Sequence, residues 1–376
     1  MYAMDSRSAK NILLMIVPYS HPRMLGISRF AKEHGWNLMV ADRLEQHEDP
    51  GEFDGVLMTL RRKGDAAKSL QRIMDAGVPT VDLTIERPLV HIPRVVSDHE
   101  GIGRVAAKHF MERGFKNFAW FSSAWSNVHR LRFRGFAGAL PRGTKVARWS
   151  AVDADASLAS ATLPLAALAY DDVDAARLIA ACRRRGLGVP GDVAVLGIGN
   201  DPFLCENRDM TISSVEQNLE ENAYAGAALL ERLMRTPPAK RAALRETLLL
   251  TPPAEVVARS SSDTLAHPNP TVRAVMVFIH THLSRPLGAK DIAEGLRMSR
   301  SHLDKIVKAT LQHSVGDEIM RQRMMRAKRL LADPSVPIGR IADACGFCNI
   351  AYLSNMFRKE TGLSPRAWRA AARGSC

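Results

Sequence analysis

A chain of 376 residues, 46% hydrophobic and 24% charged, is too long for one ordinary domain and has apolar material for a core in each of two or three. No stretch reaches the roughly 18 apolar residues of a membrane span, and five scattered cysteines suit reduced thiols in a cytoplasm rather than a disulfide scaffold. The net charge is +13, yet residues 264–376 carry 18 Lys+Arg against 8 Asp+Glu while the remainder is nearly balanced. That asymmetry points to a polyanion bound by the last third; charge alone leaves open a merely basic, soluble surface.

In chain order, Met1–Ala9 reads as a loose tail. Ile12–Val17 is about half the length of a signal-peptide core and runs into Pro18-Tyr19-Ser20-His21-Pro22 without a cleavage pattern, so it reads as a first buried strand. Gly26–Glu33 is a helix ended at Gly35; Trp36–Ala41 and Asp54–Thr59 are strands. Ala67–Ala76 is a helix stopped by Gly77, followed by strands Pro79–Leu83 and Val95–Ser97 and by helix Gly103–Arg113. Phe118–Ser122 is a strand, Asp174–Arg185 a helix, Asp192–Gly197 a strand and Asn222–Met234 a helix. Apolar strands joined by helices imply parallel α/β sheets, two of them for this length.

Arg259–Pro270, with Ser260-Ser261-Ser262 and Pro268-Asn269-Pro270, breaks the pattern and reads as a linker. After it every segment is helical. Leu287–Leu311 gives a short helix at Asp291-Ile292-Ala293, a turn over Gly295–Met298 and a second helix capped by Ser299. Leu303, Ile306, Val307 and Thr310 face inward there, leaving Arg300, Ser301, Asp304 and Lys305 outward near the N-terminal end. Asp304 either accepts from a base or pairs with Lys308 four residues on. Pro337–Glu360 repeats the scheme, with Ile338, Ile341 and Ala342 inward, a turn at Cys345-Gly346-Phe347, and Ile350, Ala351, Tyr352 and Asn355 outward. Between them Val315–Leu331 is one helix about 25 Å long, with Arg321, Arg326 and Arg329 outward. A spacer of that order can set two reading helices near one DNA turn, roughly 34 Å, apart.

The run Arg323-Met324 … Ala327-Lys328 … Leu330-Leu331, Ile338 … Ile341-Ala342 … Cys345-Gly346-Phe347, Tyr352-Leu353-Ser354 … Phe357-Arg358-Lys359 … Gly362-Leu363-Ser364-Pro365 … Trp368-Arg369 resembles AraC/XylS-type regulators over about a hundred residues. The resemblance implies double-stranded DNA as partner and Ser301, Asp304, Lys305, Ile350, Ala351, Tyr352 and Asn355 as readers. Arg300 stands beside them, and Arg358, Lys359, Arg366 and Arg369 touch phosphate or solvent. Cys345 and Cys348 form a CxxC, but no second ligand pair lies at zinc-site spacing and the context is not βαβ, so neither metal nor redox use is expected.

The earlier part carries Pro93-Arg94-Val95-Val96-Ser97-Asp98 … Gly103, Arg132-Phe133-Arg134-Gly135-Phe136, Asp171-Asp172, Val189-Pro190-Gly191-Asp192-Val193-Ala194-Val195-Leu196-Gly197 and Ser213-Ser214-Val215. These resemble the sugar-binding module of LacI/GalR-type repressors, a two-lobed periplasmic-binding-protein-like fold. The order, this module first and the AraC-type unit last, with Pro252-Pro253 … Val256-Val257 … Arg259 at the junction, is similar to the xylose-responsive branch of the AraC/XylS family. The resemblance implies Asp98, Arg132, Asp171 and the loop at Gly199 as ligand groups; loop caps and a surface ion pair are the bland alternatives. Trp125 and Tyr19 are the aromatic candidates for stacking on a sugar. Gly199 stands where the family commonly has Asp, so Asn200 or Asp201 is expected to supply the missing polar group. Gly138–Pro164 is roughly twenty residues shorter than the family pattern. Gly101-Ile102-Gly103-Arg104-Val105-Ala106 matches a dinucleotide fingerprint, but Ala119–Ser122 lacks the acid such a site needs.

The expected fold is multidomain: a two-lobed α/β domain over 10–258 after the tail 1–9, a linker 259–270, and an all-α domain with two helix-turn-helix units over 271–376. The expected protein is a cytoplasmic, homodimeric transcription regulator bound to the nucleoid, with DNA, a small sugar-like ligand and RNA polymerase as partners, and with no catalytic residue, cofactor, metal or membrane role. A ligand-blind regulator keeping a degenerate sensor for dimerisation is the alternative.

Overall fold

The computed structural model of the chain describes residues 9–41, 49–60, 66–206, 210–264, 266–267, 269–332 and 336–373. The expected tail lies outside them except for Ala9. Among the described residues no helix is long and apolar enough to cross a membrane.

The first lobe is built from β1 (Lys10–Met15), α1 (His21–His34), β2 (Trp36–Val40), β3 (Gly55–Met58), α2 (Ala66–Asp75), β4 (Thr80–Asp82) and β5 (Arg94–Ser97). The chain then crosses to a second lobe. Its elements are α3 (His99–Glu112), β6 (Asn117–Ser122), α4 (Asn127–Ala139), β7 (Val146–Ser150), α5 (Ala154–Ala159), β8 (Leu165–Ala169), α6 (Asp172–Arg184), β9 (Val193–Ile198), α7 (Pro202–Glu206) and β10 (Ser213–Val215). It returns to the first lobe for α8 (Leu219–Arg235), α9 (Pro238–Arg241) and β11 (Leu248–Thr251), and crosses again to β12 (Val256–Val257). Two six-stranded sheets result, ordered β11-β5-β4-β3-β1-β2 and β12-β10-β9-β8-β6-β7. All pairings are parallel except β10 with β12. β3, β8 and β9 are buried at every residue, as parallel strands between helix layers must be.

The two-lobed α/β reading holds, and the structure adds β7, β8, β10, β11 and β12 to the expected strands. β8 escaped because Leu-Ala-Ala-Leu-Ala contains good helix formers and no β-branched residue. Only burial on both faces makes it a strand.

The segment expected as a linker is stitched to the second lobe instead of running free. Val195 N–H donates to Ser261 O at 2.8 Å, and the buried Ser261 hydroxyl donates to Val195 O at 2.6 Å. Ser262 Oγ meets His109 Nε2 at 2.8 Å, and Arg259 pairs with Glu206. Serine suits this role because one hydroxyl can both accept and donate to sheet backbone.

Among the described residues seven helices follow: α10 (Pro270–His282), α11 (Ala289–Gly295), α12 (Arg300–Leu311), α13 (Val315–Ala332), α14 (Ile338–Ala344), α15 (Ile350–Thr361) and α16 (Pro365–Arg373). They form two small cores, one around Val275, Ile279, Ile292, Leu303, Val307 and Ile319, the other around Met324, Ala327, Ile341, Leu353 and Phe357. α13 contributes to both and so fixes one against the other. Gly346 sits at φ +72°, and a Cβ there would lie 2.2 Å from Leu283 O. Only glycine allows the second turn to press against the end of α10. α10 in turn docks on the second lobe: Arg273 Nε donates to Asp192 Oδ1 at 3.0 Å, and Val277 packs against Gly191.

Candidate functional site

Both outward helix faces are built as the spacing requires. Ser299 caps α12 by accepting from His302 N–H, and Asn349 caps α15 by accepting from Tyr352 N–H. Leu303 and Val307 anchor α12, and Leu353 and Phe357 anchor α15. The opposite sides leave Arg300, Ser301 and Lys305 exposed on α12, with Asp304 half-buried, and Ile350, Ala351, Tyr352, Asn355 and Arg358 exposed on α15. Tyr352 leans towards Phe347, ring centroids 6.1 Å apart.

Several arginines and one acid are engaged differently from expectation. Asp304 faces Arg300, at 3.7 Å, rather than Lys308. Arg321 is not free: Glu318, 1% exposed, takes both its Nε and Nη2, at 2.8 and 2.6 Å. Arg369 donates to Leu331 O and Val336 O, tying α16 to the end of α13 rather than offering itself to phosphate. The Arg300–Asp304 and Glu318–Arg321 pairs lie four and three residues apart on one helix, a spacing that offers more than one partner, whereas the Arg369 contacts need residues brought close by the fold. Of the CxxC thiols, Cys345 is in the second core and Cys348 is exposed.

A cleft of about 530 Å³ opens between the lobes, lined by Glu86 from the first and by Ser123–Ser126, His129, Tyr170, Asp171, Asp174 and Arg177 from the second. These second-lobe residues follow the C-terminal ends of β6 and β8, where parallel sheets place ligand groups. His129 stacks flat on Tyr170, centroids 3.4 Å apart, and Arg132 lies 4.8 Å from the centre of the Tyr170 ring. Arg132 is 5% exposed and donates to Tyr170 O and Gln217 Oε1, both at 2.6 Å. Its Nε, the Nε2 of His129 and the Oε2 of Glu86 have no hydrogen-bond partner among the described residues. Burial lowers the pKa of Arg132, raises those of Asp171 and Tyr170, and brings His129 to about 4, so the imidazole is neutral at pH 7. Arg23 from the first lobe and His99 at the start of α3 are in electrostatic range of Arg132; burial first, then Arg132, lowers the His99 pKa. A buried guanidinium without an ion pair among the described residues, near a carboxylate oxygen with a free lone pair, suits a ligand that both donates and accepts.

The expected ligand groups divide. Asp171 lines the cleft and caps α6 by accepting from Asp174 N–H, while Arg132 is buried behind the cleft wall against the Tyr170 ring. Trp125 lines it; Tyr19 is exposed elsewhere. Asp98 caps α3 through Gly101 N–H and pairs with Arg104, so its observed work is structural. Asn200 is turned away, its amide held by Arg259 and Glu216, and Asp201 accepts from Phe203 N–H. Neither replaces the acid missing at Gly199. That position has φ +133°, and a Cβ would lie 3.0 Å from Asp172 Oδ2. The buried Asp172 carboxylate already accepts from Ser214 Oγ and Asp201 N–H in that space. Glu86, His129, Tyr170 and Asp174 also line the cleft without a sequence signal of their own, although Tyr170 and Asp174 flank Asp171. The glycines of the dinucleotide-like run lie within helix α3, where Gly103 abuts Arg132 O on α4. They serve close helix packing, not a phosphate loop.

Residues 107–262 match the family model described as periplasmic binding protein-like domain, and residues 292–371 match a helix-turn-helix domain. The xylose operon regulatory protein of Haemophilus influenzae is 25% identical over 93% of this chain and 95% of its own length. The protein of the same description from Escherichia coli K12 is 25% identical over 90% of each. A solved structure described as the xylose-binding transcription activator xylR superposes with a TM-score of 0.77 at 20% identity, covering 96% of this chain and 98% of that one. With a two-lobed cleft domain ahead of paired helix-turn-helix units, the chain is a DNA-binding transcription regulator with a periplasmic-binding-protein-like domain at the front, similar over nearly its whole length to xylose operon regulatory proteins.

Proposed function

We propose that the protein regulates genes of sugar metabolism in response to a xylose-like sugar held between its lobes. The observation that carries this reading is the cleft itself: His129 and Glu86, in its wall with the Tyr170 and Trp125 rings, each hold a buried polar atom without a partner among the described residues, and so does Arg132, packed behind them on Tyr170. Hydroxyls satisfy such donors and acceptors in pairs, and aromatic rings cover the apolar face of a sugar. The relatives described as xylose operon regulatory proteins support the sugar class. Arg132 and Asp171 are the proposed ligand groups, joined by Glu86 and His129.

For DNA, the proposed readers are Ser301, Asp304, Lys305, Ile350, Ala351, Tyr352 and Asn355, with Arg300 and Arg358 on phosphate. The protein works as a cytoplasmic homodimer whose subunits occupy successive half-sites and engage RNA polymerase at the promoter. Sugar binding shifts the population of lobe arrangements, and the docking of α10 on the second lobe passes that shift to the reading helices. A thermal-shift screen of pentoses and hexoses against the full chain tests the sensor. Stabilisation by a sugar, absent in Arg132→Ala, supports it; no shift with any sugar leaves the degenerate sensor as the correct description.

A further inference from the structure

Beside the cleft lies a second cavity of about 320 Å³, sharing Ser123, Ala124 and Trp125 with it. Its remaining walls are Trp120, Ser122, Arg148, Trp149 and Ser150, from the ends of β6 and β7. β7 is the edge strand, paired only with β6, with Trp120 opposite Arg148 and Ser122 opposite Ser150. It falls within the shortened stretch 138–164, and among the described residues no further strand covers this side of the sheet.

Two features of this annex have no use in the fold. Trp120 is 1% exposed, yet its indole Nε1 has no acceptor among the described residues. A buried indole N–H normally finds one. The Arg148 guanidinium lies over the rings of Trp125 and Phe133, at 6.0 and 5.7 Å, with no carboxylate within ion-pair reach among the described residues. The hydroxyls of Ser122 and Ser150 are anchored to Ala124 O and Asp153 Oδ2, and each retains a lone pair. Two indoles, Trp120 and Trp125, and a guanidinium around a cavity large enough for a ligand group, about 300 Å³ or more, suit a ring with an apolar face and a hydroxylated rim.

We propose that this annex is a second sugar subsite, so that the effector is a glycoside of two linked sugars with one ring in the cleft and the other beside Trp125 and Arg148. The proposal rests on reading the cleft as a sugar site. Trp125, shared by both cavities, marks the junction, where the glycosidic bond passes. Trp120 N–H and Arg148 supply donors to the hydroxyls of the outer ring.

Calorimetry on the full chain with xylose, xylobiose, glucose, cellobiose and an aryl β-xyloside tests it. In at least one matched pair the disaccharide binds ten times more tightly than the monosaccharide or better. Arg148→Ala and Trp120→Phe each remove most of that gain and leave the monosaccharide within twofold. If monosaccharides bind at least as well as their disaccharides, or the variants weaken both alike, the annex is not a sugar subsite. A gain with the aryl xyloside alone assigns the annex to an aromatic group and overturns the proposal. Binding of none of these sugars overturns the sensing reading itself, and the subsite with it.

Discussion

Arg273→Ala is expected to uncouple the sensor from the reader without disabling either. Arg273 stands on the first helix of the all-α domain and holds Asp192 of the second lobe at 3.0 Å, while its Nη1 donates to His267 O at 3.2 Å. The guanidinium is 10% exposed and the carboxylate 25%. A charge-assisted hydrogen bond contributes about 1.5–3 kcal/mol; discounting for the partly exposed acid gives about 1–2 kcal/mol. Allosteric couplings are typically about 1–3 kcal/mol, so losing this contact removes much of the signal. Fluorescence anisotropy with a labelled operator, with and without saturating sugar, measures it. The ratio of the two DNA affinities should shrink by about 5- to 30-fold, with sugar affinity and sugar-free DNA affinity within about threefold of wild type. A wild-type ratio in Arg273→Ala would refute this route of coupling, and so would loss of sugar-free DNA binding.

Asn355→Ala and Lys305→Ala should alter preference among operator variants at particular bases, by about 1–3 kcal/mol, in a binding-site selection. Arg358→Ala should weaken all sequences alike and lower the salt slope by about one; an unchanged profile for Asn355→Ala removes it from the readers. Arg132→Ala should cut sugar affinity at least tenfold, since each charge-assisted bond is worth about 1.5–3 kcal/mol. It should also lower the melting temperature, because Tyr170 O and Gln217 Oε1 lose their buried donor; equal calorimetric affinities would clear Arg132 of the role. Acid should destabilise the fold through His109, whose folded pKa burial lowers to about 3. Because the unfolded His109 binds a proton near pH 6.5 and the folded one does not, this contribution is full above 6.5 and lost as pH falls towards 3. Between pH 6.5 and 5 it amounts to about 2 kcal/mol, visible in urea midpoints, and a His109→Gln variant with the same pH slope would contradict it.

The reading helices were legible because their signals are local. Ser299 caps, Leu303, Val307, Leu353 and Phe357 repeat at helical spacing, and what remains points outward. The cleft was only half legible. Asp171, marked by its place after an apolar run, lines the cleft, yet Glu86 reaches it from another lobe, and its position depends on how two sheets face each other. Asp98 and Asn200 show the converse: an acid or amide after a strand also suits a cap or a loop anchor, and here that local use prevails. The serine run at 260–262 read as linker because composition carries no trace of the sheet edge that holds it.

The most direct measurement is the affinity of the full chain for a duplex it selects from a random pool, taken at several salt concentrations with and without a binding sugar. The account predicts salt-sensitive, sequence-selective binding whose affinity changes at least fivefold when the sugar is present. A sugar that binds the protein while leaving DNA affinity unchanged, or a chain that selects no sequence at all, would contradict it.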